Sequence, residues 1–101
     1  MRETQESITK WANETFGLSK SNMRVAARAN EEMAELLRAL SVDDQNQKAL
    51  DECADVFIVL CRVVSNLGGD FQELIDRKMD INRARTWNLD GSGHGYHVRA
   101  K

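Results

Sequence analysis

Glu52-Cys53-Ala54-Asp55-Val56-Phe57-Ile58-Val59-Leu60-Cys61-Arg62-Val63-Val64 is the stretch that decides the fold. Its apolar residues recur around most of a helical circumference, and a helix of that kind is buried on most sides. One short chain cannot easily cover such a helix, so a partner subunit is expected. Two acids break the run. Glu52 projects between Val59 and Val63, and Asp55 between Val59 and Ile58. Carboxylates among β-branched side chains are costly unless something pairs with them, and ligation of a cation outweighs an arginine partner as the reading here.

Upstream, a second helix is predicted from Ser21 to Leu40, with Val25, Ala26, Ala29, Met33, Leu36, Leu37 and Leu40 along one arc. Glu32 lies on the border of that arc and Glu35 a little farther out, close to Arg28 in projection. An ordinary surface ion pair is therefore the plain reading of Glu35. Residues three apart project from nearly the same side of a helix, so Glu32-x-x-Glu35 and Glu52-x-x-Asp55 each aim two acids one way. The connection over 41–47 is short and polar, which makes the two helices antiparallel neighbours and brings the four acids together. Grouped acids repel, and their pKa values rise unless a cation holds them ionised. An all-oxygen donor set suits Mg²⁺ or Mn²⁺, whereas Zn²⁺ normally recruits imidazole or thiolate. The missing Glu-x-x-His repeats argue against a di-iron bundle.

The rest of the chain is helical in punctuation. Proline is absent, and the glycines cluster at Gly17, at Gly68-Gly69 and from Gly91 to Gly95. A first helix should run from Thr4 to Phe16, with Trp11 at the edge of its apolar side. Packing in a core or interface is the plain reading of Trp11, and stacking on a nucleobase the functional one. The helix around Glu52 should run from Gln47 to Asn66. A last helix, from Asp70 to Arg85, inverts the usual pattern: Lys78, Asn82 and Arg85 share an arc with Phe71, Leu74, Ile75 and Ile81. These cations either neutralise the buried acids or meet phosphoryl oxygens across a metal, and the second reading is favoured. The tail from Trp87 to Lys101 is too rich in glycine for a helix and reads as a flexible end or a segment that closes on ligand. His94 and His97 read as loop residues, and Tyr96 as a contact for ligand or for a neighbouring subunit.

Composition bounds the answer further. A chain of 101 residues, 42% hydrophobic, with a net charge of −2, reads as one all-α domain with no electrostatic call for nucleic acid or an anionic membrane. No signal peptide or membrane span is evident, so a cytoplasmic protein is expected. Cys53 and Cys61 lie roughly 12 Å apart along one helix, too far for a disulfide, and both read as reduced core residues. No phosphate loop with Gly-Lys-Ser/Thr and no Ser-His-Asp set is present. Gly-x-Gly-x-Gly in the tail lacks the flanking strand and helix of a dinucleotide fingerprint.

Taken in order, Glu31-Glu32-Met33-Ala34-Glu35, Glu52-Cys53-Ala54-Asp55-Val56, Lys78-Met79-Asp80-Ile81-Asn82-Arg83-Ala84-Arg85-Thr86-Trp87 and Asp90-Gly91-Ser92-Gly93-His94-Gly95-Tyr96-His97-Val98 resemble the successive motifs of the MazG-like all-α nucleoside triphosphate pyrophosphohydrolases. The resemblance implies a four-helix bundle-like domain over 1–101, helical over 4–85 with a tail over 86–101, assembled as a homodimer or a dimer of dimers. It implies Mg²⁺-dependent hydrolysis of a (deoxy)nucleoside triphosphate to the monophosphate and pyrophosphate, with nucleotide-pool cleansing as a role. Glu32, Glu35, Glu52 and Asp55 would hold the metal and carry catalysis, and Lys78, Asn82 and Arg85 would address the phosphates. Trp11 and Tyr96 join them as candidate substrate contacts. The alternative is a helical oligomerisation or regulatory module that keeps the fold without the chemistry.

Overall fold

A computed structural model describes residues 2–42, 44 and 46–98. Asp43 and Gln45 of the predicted polar connection, and the last three residues of the predicted tail, lie outside the described residues. Four helices come first: α1 (Gln5–Phe16), α2 (Asn22–Leu40), α3 (Asn46–Asn66) and α4 (Phe71–Ala84). Two short strands follow, β1 (Trp87–Leu89) and β2 (Gly95–His97). The chain divides into two compact units, one ending at Phe71 and the other beginning at Gln72.

In the first unit α3 is the central helix, flanked by α2 along most of its length and by α1 at its C-terminal half. Local sequence explains the boundaries. Thr4 caps α1 by accepting from the backbone N–H of Ser7, whose hydroxyl returns the favour to the backbone N–H of Thr4. Ser21 caps α2 in the same way through Arg24. At the end of α3, Gly68 adopts φ +78°. The Gly69 N–H then reaches Val64 O at 2.9 Å and the Gly68 N–H reaches Ser65 O at 3.0 Å, the paired bonds of a Schellman stop that only glycine enters without strain.

Polar clasps fasten α1 to α3. Gln5 Nε2 donates to Ser65 Oγ at 2.8 Å and to Gly69 O at 3.0 Å, while its Oε1 accepts from Phe71 N at 2.6 Å. One amide thereby satisfies three groups at the junction where α3 ends and α4 begins. Thr9 Oγ1 lies 2.8 Å from Ser65 Oγ beneath it. The core itself is made of small side chains, Ala12, Ala29, Ala39, Ala49 and the fully enclosed Cys61. Cys53 departs from expectation: it is exposed, whereas Cys61 on the same helix is buried.

The second unit departs further from the sequence reading. The glycine-rich tail is an antiparallel hairpin pairing Trp87 with His97, Asn88 with Tyr96 and Leu89 with Gly95. Asp90 Oδ1 accepts from the Ser92 hydroxyl and, at 2.9 Å, from the Ser92 N–H, bracing the turn, and these bonds, the hydroxyl's first, hold its carboxyl below the ordinary range. Gly91 and Gly93 take positive φ there. At Gly95 a Cβ would lie 2.7 Å from Asn88 O, so the glycine permits the close approach of the strands. Trp87 Nε1 donates back to Asn82 O at 2.9 Å, and its ring meets His97 edge-on at 6.0 Å.

Candidate functional site

Three of the four predicted acids converge. Three carboxylate oxygens, one each from Glu32, Glu52 and Asp55, lie within 4.8 Å of one another, Glu32 contributed by α2 and the other two by consecutive turns of α3. The short link between the helices and the i, i+3 spacing on α3 produce this arrangement together. Glu52 is buried, with 8% of its surface exposed, and its ion pair is with the largely exposed Lys48 at 3.5 Å. Glu35 stands outside the group of three, half-exposed, with Arg38 at 3.7 Å. The sequence places Glu35 near Arg28, but Arg28 turns to Glu31 and to Glu32, meeting the latter at 3.3 Å.

The Glu32 carboxyl is held above the ordinary range, first by burial and then by the charge of Asp55. Arg28 opposes that rise, and Glu52 and Glu35 add to it. Glu35 is thus felt electrostatically although it lies outside the cluster. Between the ordinary value of 4.5 and its own raised one, folded Glu32 keeps a proton that the unfolded chain has released. Metal-free stability therefore falls as pH rises through that window. A cation must displace the same proton. The gain in melting temperature from Mg²⁺ or Mn²⁺ should accordingly grow as pH rises through the pKa of Glu32. Thermal melts at stepped pH, with and without the ion, measure this, and a gain that is flat with pH would remove Glu32 from the set.

The donor set fits a hard divalent cation. It is all oxygen, with neither histidine nor cysteine among the three, and its one buried member faces two further carboxylates that raise the cost of leaving the group unneutralised.

The acids Glu32 and Asp55 open onto a cleft of about 830 Å³ in the first unit, lined also by Trp11, Phe16, Arg24 and Arg62. Its size is that of a small-molecule site. Trp11 is 54% exposed there and meets the Phe16 ring edge-on at 5.6 Å, so the aromatic pair forms a wall of the cleft and lies outside the core. Arg62 donates from Nη2 to Gly17 O and sets its guanidinium 6.0 Å from the centre of the Phe16 ring. Asn66 Nδ2 donates to Ser19 Oγ at 2.8 Å. These two contacts pin the link between α1 and α2 against α3. Neither Arg62 nor Arg24 stands out in the sequence reading, although a single arginine inside the apolar run of α3 was an available signal.

Lys78, Asn82, Arg85 and Tyr96 belong to the second unit. Lys78 is exposed, Arg85 Nη1 donates to Asn82 Oδ1 at 3.4 Å, and Tyr96 is 79% exposed on β2 of the hairpin.

Residues 1–80 match the family described as phosphoribosyl-ATP pyrophosphohydrolase. No curated protein matches the chain. Among solved structures, it is similar to the cyanophage S-2L MazG-like pyrophosphohydrolase bound to dGDP and three catalytic Mn²⁺ ions per active site. The two are 30% identical, the match covers 96% of this chain and 91% of that one, and the TM-score is 0.75. The family description names a different substrate from the one implied by the sequence motifs, and the structural neighbour is MazG-like. Both are pyrophosphohydrolases.

Proposed function

Because the chain belongs to the phosphoribosyl-ATP pyrophosphohydrolase family, we propose that it hydrolyses a (deoxy)nucleoside triphosphate to the monophosphate and pyrophosphate with Mg²⁺ or Mn²⁺. The observation that carries this reading is the convergence of Glu32, Glu52 and Asp55 beside an aromatic-walled cleft. These acids, joined by Glu35 from the rim, are the proposed metal ligands. A divalent ion held by these residues would neutralise polyphosphate charge and acidify a bound water. One of these carboxylates would orient the attacking water or accept its proton. Lys78, Asn82 and Arg85 are the proposed phosphate contacts, supplying charge-assisted donors to the transferring and leaving oxygens. Trp11 offers an exposed ring for stacking, and Tyr96 is a proposed contact from the hairpin. We place the enzyme in the cytoplasm, as a homodimer or dimer of dimers that cleanses nucleotide pools.

A second reading takes phosphoribosyl-ATP itself as substrate, favoured by the description of the matching family. Measuring pyrophosphate release from all NTPs and dNTPs and from phosphoribosyl-ATP, in Mg²⁺ and again in EDTA, decides between them. Release is expected from at least one (d)NTP in Mg²⁺ and from none in EDTA. Release from phosphoribosyl-ATP alone would transfer the assignment to that substrate. Silence across the whole panel, together with melts that ignore the metal, would leave the non-catalytic helical module.

A further inference from the structure

Four cations line the cleft: Lys20, Arg24, Arg28 and Arg62. Two of them are already engaged. Arg28 pairs with Glu31 and Glu32, and Arg62 holds the corner at Phe16 and Gly17. Lys20 and Arg24 have no carboxylate partner among the described residues. Their level in the cleft matters. Arg24 precedes Glu32 by two helical turns on α2, about 12 Å along the axis, and on α3 Arg62 lies about 10 Å beyond Asp55. The cleft is therefore graded, with acids at one end and the two aromatic rings with Arg24 at the other.

A polyphosphate gathered at the acids sends its nucleoside toward Trp11 and Phe16. Aromatic faces stack on any base without choosing among them. Choice must come from hydrogen bonds to the base edge, where an unmatched polar group is penalised. The arginine fork is planar and takes two acceptors side by side, whereas lysine offers a single mobile charge. Guanine and hypoxanthine present such a pair in O6 and N7. Adenine sets an amino group beside N7, and pyrimidines have no equivalent pair.

We infer that Arg24 reads the base edge in this cleft and makes 6-oxopurine nucleotides, those of guanine and hypoxanthine, the preferred substrates. This rests on the activity proposed above, deepening it from (d)NTPs in general to one base class. Lys20 adds positive potential beside the fork.

The test compares kcat/KM for dGTP, dITP, 7-deaza-dGTP, dATP and dCTP in Mg²⁺, alongside calorimetric binding of dGDP and dADP. It uses the wild type, Arg24→Met and Arg24→Lys, the last keeping the charge but losing the fork. The wild type should favour dGTP and dITP over dATP by roughly 10-fold or more. Loss of N7 should bring 7-deaza-dGTP close to dATP. Both variants should bring the dGTP to dATP ratio near one. Equal use of all bases by the wild type, a ratio unmoved in the variants, or an equal loss on every nucleotide (a phosphate contact) would each overturn the inference. If no nucleotide is hydrolysed, the binding arm still decides: tighter dGDP that depends on Arg24 upholds the base reading while the activity fails, and indifferent binding ends it.

Discussion

Glu52→Gln should lower kcat/KM for pyrophosphate release by more than the roughly 10- to 100-fold that follows loss of a group merely supporting a metal ligand, and it should do so without weakening the metal-free fold. The amide fills the same space in α3 but cannot carry charge, so a hard cation loses the buried member of its donor set. In the absence of metal the effect on stability has the other sign. Glu52 shares its surroundings with Glu32 and Asp55, and removing one of three like charges relieves repulsion. The ion pair given up, to a lysine with 55% of its side chain exposed, contributes little. The melting temperature in EDTA should hold or rise, while the gain from Mg²⁺ disappears. Asp51→Asn is the matched control. Asp51 is an exposed neighbour on the same helix, accepting from Gln47 Nε2 at 2.9 Å, and turnover should be unaffected. If Glu52→Gln turned over normally, or melted lower in EDTA with no response to metal, the acids would serve structure, and the catalytic reading would fall.

How much of this was legible beforehand differs from element to element. All four helices were legible from amphipathic spacing, and for α1 and α3 the stop also had a local cause in a glycine of positive φ, Gly17 and Gly68. The convergence of Glu32, Glu52 and Asp55 was legible too, since helix spacing and a short link fix it geometrically. Glu35 was less so. Spacing places it beside Glu32, yet only the packing direction of α3 says which side of that pair faces the partner helix. The hairpin escaped because its strands are three residues each, too short for alternation to register, and its glycines look the same in a flexible tail and in a tight turn. The cleft wall was the least legible part. Trp11, Arg24 and Arg62 come from three separate helices, and only tertiary packing assembles them.

Leu50→Lys should convert the proposed homo-oligomer to a species of the 11.5 kDa chain mass. The reason lies in what α2 and α3 leave uncovered. Leu37, Leu40 and Leu50 are each more than 60% exposed, and Met33 is 40% exposed. Single exposed leucines are ordinary on a protein surface. Several on two helices packed against each other are the beginning of a patch that signals a partner, and the nearly all-apolar circumference of α3 calls for one. Phe57 is a poorer target because it stacks on Phe71 within the chain, at 4.8 Å and 14°, so its replacement would mix folding with assembly. Leu50 makes no such contact, and a lysine there is tolerated in an isolated chain. In a contact core the same lysine would be desolvated without a partner, a cost that at hot-spot magnitudes of about 2 kcal/mol or more weakens association by well over tenfold. Sedimentation equilibrium at micromolar concentration reads the change directly. A wild-type chain that already sediments at 11.5 kDa would refute the assembly. If Leu50→Lys yields folded monomers that have also lost turnover, the neighbouring subunit completes the site, and if they remain active, the cleft beside Glu32 and Asp55 is sufficient in one chain.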